Sequence, residues 1–515
     1  MQISNLTGLL NCLDLILLYF KNLVRYRTKV CYNNLDIIKN NLGVIKMDAY
    51  LLIDFGSTYT KLTAVDIKSE EVLATAKDIT TIEDDIMIGF EKAYKELKIE
   101  INKKIDFESI NFINKIACSS AGGGLKIYAI GLVLSLTTEA AKKAALGAGA
   151  RVMKTYSYEL NNAEVMELQN SDADIILLAG GTDGGNKTCI LHNAKLIAES
   201  KIKVPIIIAG NSDAHPEIID LFDAAKIDYT ITENVLPRLD NLNVNPAREA
   251  IRNVFMTKIV EAKGLKNAES FVSGVVMPTP AAVLDAAELL SVGTEEEEGL
   301  GDLIITDIGG ATTDIHSLAD GSPSQMDVIL KGLEEPFAKR TVEGDLGMRY
   351  SALSLLETVK TKKIRNYLRD EHKEIDIKKH CNYRHENIMM VPKTNEEIVF
   401  DEAMAAAATE EAMIRHCGWL ESVYTPTGIM YYQCGKDLMD VKYVIGTGGV
   451  IVHSKNQTNI LKAGEFDINM PVHLRPKKPD YLVDNTYILS AMGLLVKENP
   501  NLAVRIMKKY LEKAN

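Results

Sequence analysis

Two segments far apart in the chain share one plan. LLIDFGSTYTK (51–61) and LIITDIGGATTD (303–314) each run from an apolar stretch into an aspartate, then glycine, then a cluster of hydroxyls. The first sets Asp54, Gly56, Ser57, Thr58 and Thr60 ahead of Lys61; the second sets Asp307, Gly309, Gly310, Thr312 and Thr313 ahead of Asp314. The apolar stretches read as buried strands. A carboxylate at a strand end can hold Mg²⁺, a cation that takes few carboxylates and retains waters. Glycine removes the Cβ, so that backbone N–H groups can approach an anion. The hydroxyls add donors, and Lys61 supplies a point charge for phosphate oxygens. Either segment alone is equally a plain β-hairpin. Their repetition predicts two half-sites that close on one phosphate group. A third loop, VIGTGGVIVH (444–453), carries neither acid nor lysine; Gly446, Gly448 and Gly449 would let a base and ribose lie against the backbone.

Between these loops the chain alternates apolar, glycine-terminated runs with helical stretches. The runs include DIILLAGGTDGG (174–185) and VPIIIAGNSD (204–213); helical patterns fall at 136–152, 216–227, 279–292 and 400–420. Such alternation, with strands running into helices, predicts α/β architecture. A chain of 515 residues has room for about three domains. The formal charge is −12 and no long basic stripe is present, which argues against nucleic acid as a partner. Seven cysteines without CxxC spacing fit reduced cytosolic thiols and a cytoplasmic location. His380, Cys381 and His385 cluster, but at no common zinc spacing. The apolar run 6–20 contains Asn11 and Asp14 and is shorter than the ~20 residues that span a bilayer. Residues 1–46 are expected to lie outside the fold, because MDAYLLIDFG from Met47 reads as a natural start.

In order and spacing the three loops resemble phosphate 1, phosphate 2 and the adenosine motif of the actin/Hsp70/sugar-kinase ATPase superfamily. Asp54, Gly56, Ser57 and Lys61 match DxGSxxxK; Asp307 onward matches DxGGxTT. The resemblance implies a two-lobed actin-like (ribonuclease H-like) fold, with ATP and Mg²⁺ between the lobes and Asp54 and Asp307 on the metal. It also implies two helical connectors, at 279–292 and 483–496. The start of the first, MPTPAAVLDAAELL, offers Thr279 where the superfamily often has a carboxamide or carboxylate for the attacking water, so hydrolysis is expected to be slow or partner-stimulated. Glu343 is a candidate water-orienting group from elsewhere.

Longer stretches, among them SAGGGLKIYAIGLV (120–133), LLAGGTDGGNK (177–187), MPTPAAVL (277–284) and KRTVEGDLGMR (339–349), resemble the glutamate (methylaspartate) mutase accessory protein L family. That resemblance implies an ATP-dependent reactivating factor, partnered with glutamate mutase subunits or a related B12-dependent mutase. A small-molecule kinase on the same fold is the alternative, with Asp183 as the base to test. An iron–sulfur activator would need a partner for Cys118. The expected organisation is lobe I with phosphate 1 over 47–110, an inserted or elaborated α/β subdomain over 111–262, and the first connector over 263–300. Lobe II with phosphate 2 and the adenosine loop follows over 301–482, then the second connector and a C-terminal helix over 483–515. In the subdomain, Gly180, Gly181, Gly184 and Gly185 around Asp183 read as an anion nest, a contact surface or a tight crossover. His215 reads as a capping or surface histidine, and no DxHxxG cobalamin loop is present.

Overall fold

The computed structural model describes residues 46–56, 59–81, 85–120, 125–261, 275–325, 327–426 and 428–515. The expectations for residues 1–45, Ser57 and Thr58 lie outside the described residues.

Two mixed sheets have the same wiring. In the first, Met47–Phe55 pairs antiparallel with Tyr59–Asp66, which pairs antiparallel with Glu71–Ile79. On its other side Met47–Phe55 runs parallel to Ile110–Ser119, and that strand runs parallel to Val275–Pro278. In the second, Leu303–Ile308 pairs antiparallel with Thr313–Leu318 and that strand with Ala338–Glu343, while Tyr443–Thr447 and then Asp480–Val483 follow in parallel. Numbered within each lobe, the first five strands of both sheets have the order 3-2-1-4-5 with only the second reversed, and the second sheet adds a short antiparallel edge strand, Glu512–Lys513. This duplicated sheet is the two-lobed, actin-like fold. The segments 51–61 and 303–314 fold as the hairpins that their sequences allow. Both chains turn straight back, because the Gly56 N–H donates to the Tyr59 carbonyl at 3.1 Å and the Gly309 N–H to that of Thr312 at 2.9 Å.

Strand alternation sorts the apolar residues onto two faces. Leu51, Ile53, Phe55 and Leu62 pack against the helix Ile86–Asn102 on the outside of the first lobe. Tyr50 and Leu52 face the other way, into one core shared with Leu303 and Ile305 of the second lobe and with the helices Thr279–Val292, Ile488–Leu495 and Pro500–Tyr510. The two connector helices cross so closely that a Cβ at Gly493 would sit 2.0 Å from the Ala282 carbonyl oxygen; only glycine allows that approach. The outer face of the second lobe is covered by the helix Asn395–His416, which a Thr394–Glu397 capping box starts. A three-stranded sheet of Val328–Lys331, Trp419–Thr425 and Gly428–Cys434 stands apart from both lobe sheets.

The remaining sheet is wholly parallel. Its strands Lys126–Gly131, Arg151–Ser157, Ile175–Leu178, Ile206–Ile208 and Tyr229–Ile231 lie in the order 2-1-3-4-5. Separate apolar cores cover its two faces, so this region is a doubly wound unit of its own. The 136–152 helical reading is shortened: a π-turn at Leu134–Thr138 precedes the helix Glu139–Gly147, and the chain re-enters the sheet at Arg151. Polar ties fasten the unit to both lobes. Arg252 makes a two-pronged pair with Asp285 on the first connector, at 2.8 and 3.0 Å. From the second lobe, Arg340 donates to the Leu146 and Ala150 carbonyls at 3.3 Å each.

Candidate functional site between the lobes

Sheet register brings four polar or sulfur side chains into one row. Cys118 pairs with Asp54, Asp54 with Lys61, and Lys61 with Lys77. Directly paired residues share a face, and this face is the one that Tyr50 and Leu52 turn toward the shared core. In the second lobe Asp307 is flanked by Asp314 and Thr447, on the face of Leu303 and Ile305. Each aspartate therefore ends a row of side chains directed at the same interlobe core.

The Asp54 carboxylate is buried and well supplied with donors. Thr279, from the first connector, donates to Oδ1 at 2.7 Å; Ser490, from the second, donates to Oδ2 at 3.2 Å; the Cys118 thiol lies 3.6 Å from Oδ1. Burial, then the Asp54 charge, push the Cys118 thiol well up, so it stays a protonated donor.

Asp307 has the opposite surroundings. It is partly open to solvent, and among the described residues its carboxylate accepts no hydrogen bond. Loss of hydration, then the neighbouring Asp314 charge, push it up to about 6; Lys61 and Arg340 oppose this, and Asp54 adds to it. The two aspartates and Lys61 thus feel one another's charge across the cleft. Asp314 is taken up by Arg340 at 3.0 Å.

The second connector also places Tyr487. Asp484 accepts from the N–H groups of Ile488 and Leu489 at 2.9 and 3.0 Å, which starts the helix, and Tyr487 precedes it in a left-handed conformation, φ 55°. The Lys61 ammonium lies 4.6 Å from the centre of its ring and the Lys77 ammonium 5.5 Å. Burial, then the charge of Lys61, lower the pKa of Lys77. Burial followed by the Asp307 charge raise that of Tyr487.

The glycines form the rims. Gly309 and Gly310 are clasped by Met348 and Arg349, whose N–H groups donate to their carbonyls at 3.0 and 2.8 Å. Gly448, at φ 95°, carries the chain past the Ile308 carbonyl into the short helix Gly449–Val452; a Cβ there would lie 2.4 Å from that oxygen. Gly446 sits in the strand Tyr443–Thr447 beside Thr306, and Gly449 lies near the Tyr487 hydroxyl. Thr312 is half-buried at the turn. Thr313 is fully buried, and its hydroxyl donates to the Leu346 carbonyl at 2.7 Å. Glu343 is held by Arg415 at 2.6 Å.

Other sequence candidates have different engagements. His380 meets Glu396 and Arg384, His385 meets the Tyr350 carbonyl, and Cys381 is fully buried; no cluster of three or more His, Cys, Asp or Glu suited to a metal occurs among the described residues. No helix among them is long and apolar enough to cross a membrane.

Sequence reading missed Lys77, Ser490 and Tyr487. Lys77 reaches the row only because the strand Glu71–Ile79 carries an irregularity opposite Ala64 and Val65, which shifts the register by one residue. Without it Lys77 would point to the other face. Ser490 and Tyr487 follow Asp484 at a helix start, and that cap was the available signal.

The family model described as MutL protein matches residues 50–511. Protein MutL of Clostridium tetanomorphum is 64% identical over 467 residues, covering 91% of this chain and all of that protein. Among solved structures, gluconate kinase from Lactobacillus acidophilus aligns over 91% of this chain and 93% of its own at 10% identity and a TM-score of 0.32. A glycerol dehydratase reactivase aligns over 88% and 99% at 9% identity and a TM-score of 0.31. The chain belongs to the MutL family, the glutamate (methylaspartate) mutase accessory proteins L.

Proposed function

We propose that this protein is an ATP-dependent accessory factor that reactivates an adenosylcobalamin-dependent glutamate (methylaspartate) mutase in the cytoplasm. The observation that carries the nucleotide site is the convergence of Asp54 and Asp307 on one interlobe core, with Lys61 charge-coupled to Asp307. The donor set fits a magnesium nucleotide. Asp307 is a carboxylate without hydrogen-bond donors among the described residues and in need of a counter-charge. Lys61 acts on it across the cleft, Lys77 is paired with Lys61 on the neighbouring strand, and neither lysine forms an ion pair among the described residues. Mg²⁺ with ATP would supply charge neutralisation at the phosphates.

In this reading Asp307 and Asp54 would hold the metal, Asp54 through water. Lys61 and Lys77 would meet phosphate oxygens. Ser57, Thr58 and the Gly56, Gly309 and Gly310 turns with Thr312 would line the phosphates, and Gly446, Gly448 and Gly449 the adenosine. Thr279 and Ser490 orient the Asp54 carboxylate. No carboxylate from the first connector joins them, which agrees with slow or partner-stimulated hydrolysis. A change at Asp307 would be felt at the Leu146–Ala150 edge of the inserted unit, which Arg340 ties to Asp314. Nucleotide state would thereby alter affinity for the mutase, provided the two states differ in their contacts to it.

The kinase alternative needs Asp183 facing the phosphates. Asp183 instead lines a cavity on the inserted sheet, and no residue of the interlobe row lines that cavity. Co-purification with a cobalamin-dependent glutamate mutase tests the proposal. We expect capture in one nucleotide state, ATP or ADP, and release in the other; equal capture in both, or none, refutes it.

A further inference from the structure

The LAGGTDGGN motif has no part in the interlobe site, yet it borders a cavity of about 900 Å³. The cavity opens at the carboxyl ends of Ile175–Leu178, Ile206–Ile208 and Tyr229–Ile231, under the helix Asn245–Glu261. That is the edge where doubly wound sheets take ligands, and the volume falls in the range of small-molecule sites.

The inner wall is built and held. Asn234, buried, donates to the Gly181 carbonyl and to Asp183 Oδ1, both at 3.0 Å, and accepts from the Leu236 N–H. The Ser212 N–H donates to the same Asp183 oxygen at 2.9 Å. Burial raises the Asp183 pKa, but these donors more than offset it and hold the group below its ordinary value, so it is a fixed acceptor at neutral pH. Beside it His215, at the start of the helix His215–Ala225, has a buried Nε2 with no hydrogen-bond partner among the described residues. Leaving a buried polar atom unmet is costly, and a ligand hydroxyl would meet it.

The lining chemistry selects the ligand. It contains the carboxylates of Asp183, Glu233 and Glu249, several asparagine carboxamides and, among the described residues, no lysine or arginine. Carboxylates without cations repel phosphates and carboxylates. Carboxylates and carboxamides together both accept from and donate to hydroxyls. Ile231, Ala250 and Val254 add an apolar wall, which suits the carbon face of a ring.

We infer that this cavity binds a neutral, hydroxyl-rich small molecule, an unphosphorylated sugar or nucleoside, independently of the interlobe cleft. The test is ligand-observed NMR and calorimetry on the full chain with ribose, glucose and adenosine, each beside its phosphate ester. At least one neutral compound should bind with Kd below about 1 mM, and its ester at least about tenfold more weakly. Asp183→Asn, and Thr232→Trp at the cavity wall, should each weaken binding about tenfold or more, while Asp307→Ala leaves it unchanged. The inference is overturned if none of the three neutral compounds binds, if the esters bind equally, or if Asp307→Ala removes binding that folded Thr232→Trp protein retains.

Discussion

The hairpins of the two lobes share a sequence plan and an antiparallel pairing, yet their aspartates have opposite settings. Asp54 is buried beneath two hydroxyls and a thiol delivered by the connectors and a neighbouring strand. Asp307 faces the cleft without a donor among the described residues, beside a second carboxylate, and titrates near 6. One aspartate has been made part of the framework. The other is held at an energetic cost that a bound cation would remove. Local motif and local fold do not determine this difference; it comes from what the rest of the chain packs against each strand end.

The comparison can be broken first by stability. Asp54→Ala strands the Thr279 and Ser490 hydroxyls without their acceptor, and should lower unfolding free energy by about 2 kcal/mol in denaturant titration. Asp307→Ala should cost nothing comparable. Equal losses in the two variants would erase the distinction.

Nucleotide affinity sharpens it next. Lys77→Ala and Lys61→Ala should each weaken Mg-ATP binding about tenfold, roughly 1.4 kcal/mol, because each removes one charge from the phosphate side. A Lys77 variant that binds like the unaltered protein while the Lys61 variant does not would leave Lys77 as a framework residue.

The smallest effect is a pH dependence. The Asp307 carboxyl is raised from 3.8 to about 6 by folding, so the folded state binds the extra proton in that window, and this group's stability contribution falls as pH rises through it. Asp307→Asn should therefore be more stable than the unaltered protein above pH 6, by about 1 kcal/mol after allowance for partial exposure. The gap should close as pH falls toward 3.8. A gap independent of pH would remove the assigned titration.

Much of the fold was legible because it is written in local pattern. The acid–glycine–hydroxyl repeats marked both lobe hairpins, and the first connector helix spans the expected 279–292. What escaped depends on register and long-range packing. One irregularity opposite Ala64 and Val65 decides the face of Lys77. Ser490 reaches Asp54 only after the chain has closed around both lobes. Thr313 looks like a phosphate donor in the motif, but strand parity turns it inward to the Leu346 carbonyl. The arginine that links the second hairpin to the inserted unit, Arg340, carries no local signal of that role.

The central claim is that Asp54 and Asp307 serve one metal–nucleotide between them. A double-mutant cycle on Mg-ATP affinity, measured by calorimetry on folded Asp54→Ala, Asp307→Ala and the doubly substituted protein, tests it most directly. Two groups on one ion should be strongly non-additive, the double variant binding about as weakly as the worse single one. Losses that simply add, or an Asp307→Ala protein that binds Mg-ATP as tightly as the unaltered chain, would contradict the shared site.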